Sequence, residues 1–140
     1  MSARLDALRR YMEALDQSDY ETIVGLFAPA GRVTSPFLGT MGAAQFFEQL
    51  GTASSNNDIT PLDIFVSESG TDRAVAYFQY DWTMADGSVV VFKVMDLFTF
   101  EAGTARFASL DIIYDTHPVR AEHGDKYERL TKGESPGRGS

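Results

Sequence analysis

The apolar residues of this chain recur every three or four positions as far as Gly51, and every second position from Ile59 onward. Side chains repeat at about 3.6 residues around a helix and alternate across a strand, so this change of period separates a helical first part from a stranded second part. Leu5, Leu8, Tyr11, Met12 and Leu15 predict an amphipathic helix over residues 3–16, with Ser2 as its cap. Ser18 followed by Glu21 has capping-box spacing, so a second helix starts at Asp19 and ends by Pro29 and Gly31. Residues 32–39, broken by Pro36, allow an edge strand and a turn. Thr40 caps a third helix with Ala44, Phe46, Phe47 and Leu50 on its apolar face and Gly51 as terminator; the polar run 52–58 is a loop. Four strands follow, at about 60–67, 73–84, 88–100 and 105–115, joined by glycine turns at 68–70, 85–87 and 101–103.

Helices followed by sequential hairpins predict an α+β fold, with the helices on one face of an antiparallel sheet. The chain divides into a domain over residues 1–117 and a polar, mobile tail over residues 118–140, whose end, from Lys132 to Ser140, has nothing with which to build a core. At 140 residues, 44% hydrophobic, the domain holds a core without staples, and the absence of cysteine excludes disulfides and thiolate chemistry. The net charge of −8 argues against nucleic acid and anionic membranes as partners. The charged N-terminal stretch lacks an apolar run of signal or spanning length, which predicts a cytoplasmic protein.

The chain carries ten Phe and six Tyr, five and four of them respectively in its second half. A three-residue Ala85-Asp86-Gly87 loop, with Gly87 left-handed, pairs Trp82 with Val90, Tyr80 with Phe92 and Phe78 with Val94. That register gathers Phe78, Tyr80, Trp82, Phe92, Val94, Phe98 and Phe100 on one face, to which the last strand adds Leu110, Ile112 and Tyr114. Asp96 falls among them. An ionised carboxylate there is costly unless paired, and an unpaired one is cheaper protonated, as a hydrogen-bond donor. The alternative is that Asp96 sits at a sheet edge or binds backbone amides. The opposite face carries Val75, Tyr77, Val89, Val91, Met95, Leu97 and Ile113, more apolar than a solvated face, which predicts a homodimer through this outer face.

Two runs, Arg10 to Ala28 (RYMEALDQSDYETIVGLFA) and Gly31 to Gly39 (GRVTSPFLG), with the later VMDLFTF and the strand through Tyr114, resemble the nuclear-transport-factor-2-like superfamily, notably ketosteroid isomerase and the SnoaL-like polyketide cyclases. The resemblance covers about residues 5–117. It implies a cone-shaped, curved antiparallel (mixed-edge) sheet of four to six strands on three N-terminal helices, enclosing an apolar pocket, usually in a homodimer. The superfamily hosts many activities, so the fold does not settle the reaction. Carried over by position, Tyr11 and Asp96 match the isomerase's oxyanion-hole tyrosine and protonated aspartic acid, the latter a known case of a neutral carboxyl acting as donor. The isomerase's general-base aspartate is replaced by Ser35, and a serine without an adjacent base does not abstract a carbon-bound proton at neutral pH.

Other chemistries of the superfamily fit less well. The epoxide-hydrolase type needs an Asp-Arg-Asp group, and no arginine is well placed. Asp111 and Asp115 are nearest the cyclases' acid/base aspartate but face away from the pocket in this register. His117 and His123 lack a third ligand for a metal centre; His117 reads as a surface residue or, alternatively, as one folded back over the pocket mouth. The site predicted is therefore Tyr11 and Asp96 at the pocket floor, with Ser35, Phe37, Phe78, Tyr80, Trp82, Phe92, Val94, Leu110, Ile112 and Tyr114 around a small, largely apolar, oxygen-bearing ligand, and no metal or cofactor. The functional expectation is an isomerase, cyclase or dehydratase that stabilises an enolate-like oxygen, or alternatively a non-catalytic ligand-binding or dimerisation module.

Overall fold

The computed structural model describes residues 2–123. Its elements run α1 Ser2–Asp16, α2 Tyr20–Gly25, β1 Phe27–Ser35, β2 Gly39–Gly42, α3 Ala43–Ala53, β3 Ser54–Val66, β4 Arg73–Met84, β5 Val89–Phe100, β6 Phe107–Ile113 and α4 His117–His123. The strands form one sheet in the order β2-β1-β6-β5-β4-β3, antiparallel except where β1 runs parallel to β6. Register shifts interrupt the β1/β6, β3/β4 and β5/β6 ladders. Irregularities of this kind bend and twist strands, and here the sheet curves into a cone around the helices.

The central hairpin forms as its turn chemistry predicts. Gly87 has φ +91°, its N–H donates to the Met84 carbonyl at 2.9 Å, and Met84 N–H donates to the Ser88 carbonyl at 2.8 Å. Trp82 then faces Val90, Tyr80 faces Phe92 and Phe78 faces Val94. Even-numbered residues of β4 and β5 point inward, and their odd-numbered neighbours face outward. The inner face packs on Leu8, Tyr11 and Leu15 of α1 and on Phe46 and Phe47 of α3. Asp16 ties the end of α1 to β3 by accepting from Ile59 N–H at 2.8 Å.

The first half departs from expectation in several places. The cap of α2 is Asp19 rather than Ser18: its carboxylate accepts from Thr22 N–H at 3.2 Å and Thr22 Oγ1 at 2.6 Å, while Ser18 turns through φ +55°. That helix stops at Gly25, and residues through Pro29 and Gly31 belong to β1, an interior strand between β2 and β6 rather than an edge. Pro29 is tolerated because the β1/β6 ladder breaks between Phe27 and Arg32, so its missing N–H costs no pairing there. A Cβ at Gly31 would sit 2.8 Å from the Phe27 ring, which explains a glycine inside a strand.

Thr40, expected as a helix cap, lies in β2 with its hydroxyl 2.8 Å from that of Thr34; α3 begins after Gly42. Gly51 does not end α3 but lies within it, where a Cβ would meet the Tyr20 ring at 3.2 Å. The polar run 52–58 is no loop: it closes α3 and opens β3, its polar groups held by bonds such as Ser54 Oγ to the Leu50 carbonyl at 2.6 Å. The expected polar tail begins as α4, with Val119 buried in the core; residues 124–140, where the rest of that tail falls, lie outside the described residues. Among the described residues no helix is long and apolar enough to cross a membrane.

Candidate functional site

A cavity of about 350 Å³ opens between the concave sheet and α1, α3 and α4. Its rim is marked by exposed Phe37, Leu38 and Gln49, and its inner end by Tyr11 and Asp96, each 1% exposed. Ser35 and Phe37 reach it from the β1–β2 turn, Phe78, Tyr80 and Trp82 from β4, Phe92 and Val94 from β5, and Ile112 and Tyr114 from β6 and the residue after it. Leu110 is a correction: it is fully buried but does not line the cavity. It pairs with Phe98 and Val33 one row deeper, where Phe98 and Phe107 pack ring to ring at 4.3 Å.

The sequence reading did not place Leu15, Phe46, Phe47, Leu50, Ala53, Met84 or Val119 on the cavity wall. The α3 residues carried a usable signal, because an apolar helix face must lie against the concave sheet. Val119 carried none, standing alone in a polar segment. His117 is exposed and does not line the cavity, so it is a surface residue rather than a cover for the mouth.

The polar groups of the wall sort into occupied and available ones. Tyr80 donates its hydroxyl to Asn57 Oδ1 at 2.6 Å, and Asn57, wholly buried, donates in turn to Tyr20 Oη at 2.8 Å and Ser18 Oγ at 3.1 Å. This network closes the α1–α2 turn onto β3 and β4. Trp82 gives its indole N–H to Ser54 Oγ at 2.7 Å. Ser35 Oγ accepts from Leu38 N–H at 3.3 Å across the β1–β2 turn.

Tyr11 donates its hydroxyl to Asp96 Oδ2 at 2.7 Å, with its ring clasped edge-on by Phe98 at 4.9 Å. The two residues named as the site from sequence therefore meet, but in series: Tyr11 spends its one proton on Asp96, and the two do not aim side by side at a third atom. Asp96 Oδ1 is buried with no hydrogen-bond partner. Burial pushes the Asp96 carboxyl up to about 7, and the Tyr11 hydrogen bond opposes that rise. Burial, and secondarily Asp96, hold the Tyr11 phenol well above its ordinary range, so it stays a donor.

Below about pH 7 the arrangement is thus a neutral carboxylic acid in an apolar cavity. Oδ2 already receives the Tyr11 proton, so the acid's own proton belongs on Oδ1, where it can be donated to an oxygen in the cavity. Chains of hydrogen bonds polarise one another, so Tyr11 strengthens the donor it does not itself present.

The sequence profile of the SnoaL-like domain matches residues 8–108. No curated protein sequence matches significantly. Among solved structures, an NTF2-like protein of unknown function from Burkholderia pseudomallei superposes with a TM-score of 0.73 at 23% identity, covering 86% of this chain and 97% of that one. TerC, co-crystallised with polyporic acid, gives 0.70 at 18% identity over 85% and 96% of the two chains. SalBIII, an epoxide hydrolase/cyclase-like enzyme with a role in pyran ring formation in the polyether salinomycin, gives 0.68 at 15% identity over 82% and 92%. At these identities the likeness is one of fold.

Proposed function

The chain belongs to the SnoaL-like domain family, and from that premise we propose that it binds a small, largely apolar, oxygen-bearing molecule in the cone cavity and stabilises an enolate-like oxygen on it, as an isomerase, cyclase or dehydratase. The observation that carries the reading is the unpartnered Oδ1 of Asp96 at the inner end of an otherwise apolar cavity. A buried polar atom without a partner costs stability and asks for an explanation; a ligand oxygen supplies one. Donors of this kind act on charge that develops during reaction, and losing one typically costs about 10²- to 10³-fold in rate.

Titration of Asp96 by carbon-13 NMR is expected to give a pKa near 7 that moves when a small ketone occupies the cavity. A value near that of a free carboxyl, unmoved by any ketone, overturns the reading. Ligand binding without turnover of any substrate leaves the same cavity as a binding module.

The outer face supports a second copy of the chain as partner. Val89, Val91, Met95 and Ile113 are each more than two-fifths exposed, and the register sets Tyr77, Met95 and Ile113 in one row across three strands. An exposed apolar patch of this kind suits the isologous contact of a two-fold dimer. Sedimentation at micromolar concentration is expected to give twice the 15.4 kDa chain mass, falling to the monomer in Val91→Lys. A wild-type monomer overturns the dimer.

A further inference from the structure

A second surface lies on a different face of α1 from the cavity: we propose that the groove between α1 and β3 docks a basic, amphipathic helix of a partner protein. This site is independent of the function proposed for the cavity.

Tyr11 and Leu15 of α1 line the cavity, whereas the stripe from Leu5 through Arg9 and Met12 to Asp16 lines a separate groove of about 660 Å³. Residues 59 and 61–64 of β3, the end strand of the sheet, form its other wall. Leu62 is the unusual residue there. The β3/β4 ladder passes from Pro61 opposite Phe78 to Asp63 opposite Tyr77, so Leu62 is the extra residue of a bulge and is 45% exposed. Bulges re-aim side chains. This one turns a leucine into a groove already lined by the buried Met12 and Ile59, where a covering apolar surface would take all three further from water.

The edge of β3 limits what can cover it. An added strand needs open N–H groups along that edge. Ile59 N–H donates to Asp16 Oδ1 and Ile64 N–H to Asp63 Oδ1, each at 2.8 Å, and Pro61 has no N–H. The groove therefore takes side chains rather than a strand, which suits a helix, whose backbone groups bond within itself. From Leu5 to Asp16, α1 runs about 16 Å, room for three turns alongside it.

Charge selects the kind of helix. Arg9 is paired with Asp6 at 3.1 Å, which leaves the carboxylates of Glu13, Asp16 and Asp63 along the groove. Lysines or arginines flanking an apolar stripe would meet them, in a chain of net charge −8. A second copy does not supply that helix: α1 carries three arginines against three carboxylates, and its apolar side is already packed in the core.

The test titrates the nitrogen-15-labelled full chain with an acetylated helical peptide of about fourteen residues, leucine at every third or fourth position and lysine elsewhere. The control peptide has the same composition in scrambled order. The ordered peptide is expected to bind with micromolar affinity, about tenfold tighter than the control, and to shift amides of α1 and β3. Leu62→Ser, on an exposed bulge, is expected to weaken binding about tenfold. Glu13→Lys, on the exposed side of α1, is expected to weaken it about fivefold at low salt and less at high salt. Equal binding of the two peptides, shifts confined to other elements, or affinity unchanged in both variants overturns the proposal. Two other occupants overturn it as well. Groove amides that shift when the wild-type protein alone is concentrated would assign the groove to a second copy, and groove amides broadened by a spin label on Ser140→Cys would assign it to the chain's own C-terminal segment.

Discussion

Asp96→Asn is expected to make the protein more stable at pH 8, by about 2 kcal/mol, while replacing the carboxylic-acid donor on which the proposed function depends by a weaker amide donor. The sign follows from linkage. The folded carboxyl titrates near 7 against an ordinary 3.8, so between those values the folded state holds a proton that the unfolded chain has released. Stability from this residue is therefore fully present below about pH 4, declines as pH rises, and is gone above 7. The shift corresponds to about 4 kcal/mol across that window. Asparagine carries no charge to desolvate and still accepts from Tyr11, but its amide N–H groups face the cavity unpaired, which returns about 1–3 kcal/mol of the gain. Urea unfolding of both proteins from pH 4 to 8 checks this. The difference between wild type and variant should slope through the window and flatten above 7; parallel curves would mean that Asp96 is an ordinary solvated carboxylate.

That one carboxyl also shows how far the sequence could be read. Asp96 stood out because local chemistry set its register: a glycine able to take positive φ at position 87 fixes the β4–β5 hairpin, and parity then carries Asp96 to the aromatic face. What lay beyond local pattern was harder to see. Strand β1 is read through Pro29 and Gly31, two residues that ordinarily end a strand, and its parallel partner β6 lies some eighty positions away. Asn57 escaped because a buried polar residue looks, in sequence, like a loop; only the folded Tyr80–Asn57–Tyr20 network turns it inward. The Tyr11 and Asp96 pair was legible as two residues on two apolar faces. Its wiring was not, because whether two hydroxyl-bearing groups point at each other or at a common third atom depends on side-chain geometry that spacing does not carry.

Ser35→Asp is expected to confer isomerisation of a β,γ-unsaturated ketone, with wild type at background and the variant at least about 10²-fold above it, the range a positioned general base supplies. The register explains why this position suits a base. Thr34 lies beside Asp111, which sets Ser35 beside Ile112, and Ile112 faces Asp96 on the next strand. Ser35 and Asp96 thus occupy the same row two strands apart, roughly 10 Å between backbones, and both line the cavity. A ketone whose oxygen is held at Asp96 extends its neighbouring carbons along that row, toward position 35. An aspartate there would take the proton from carbon and return it further along the conjugated system, with the enolate oxygen held meanwhile by Asp96. The second carboxylate also reinforces the first residue's role, since a nearby like charge pushes Asp96 further toward its protonated, donating form. The ultraviolet absorbance of the conjugated product reads the reaction directly. Turnover in Ser35→Asp that disappears in the Ser35→Asp, Asp96→Leu double variant would tie the new base to the same oxygen site. A folded Ser35→Asp protein that binds the ketone without turning it over would mean that the row does not place carbon within reach of position 35.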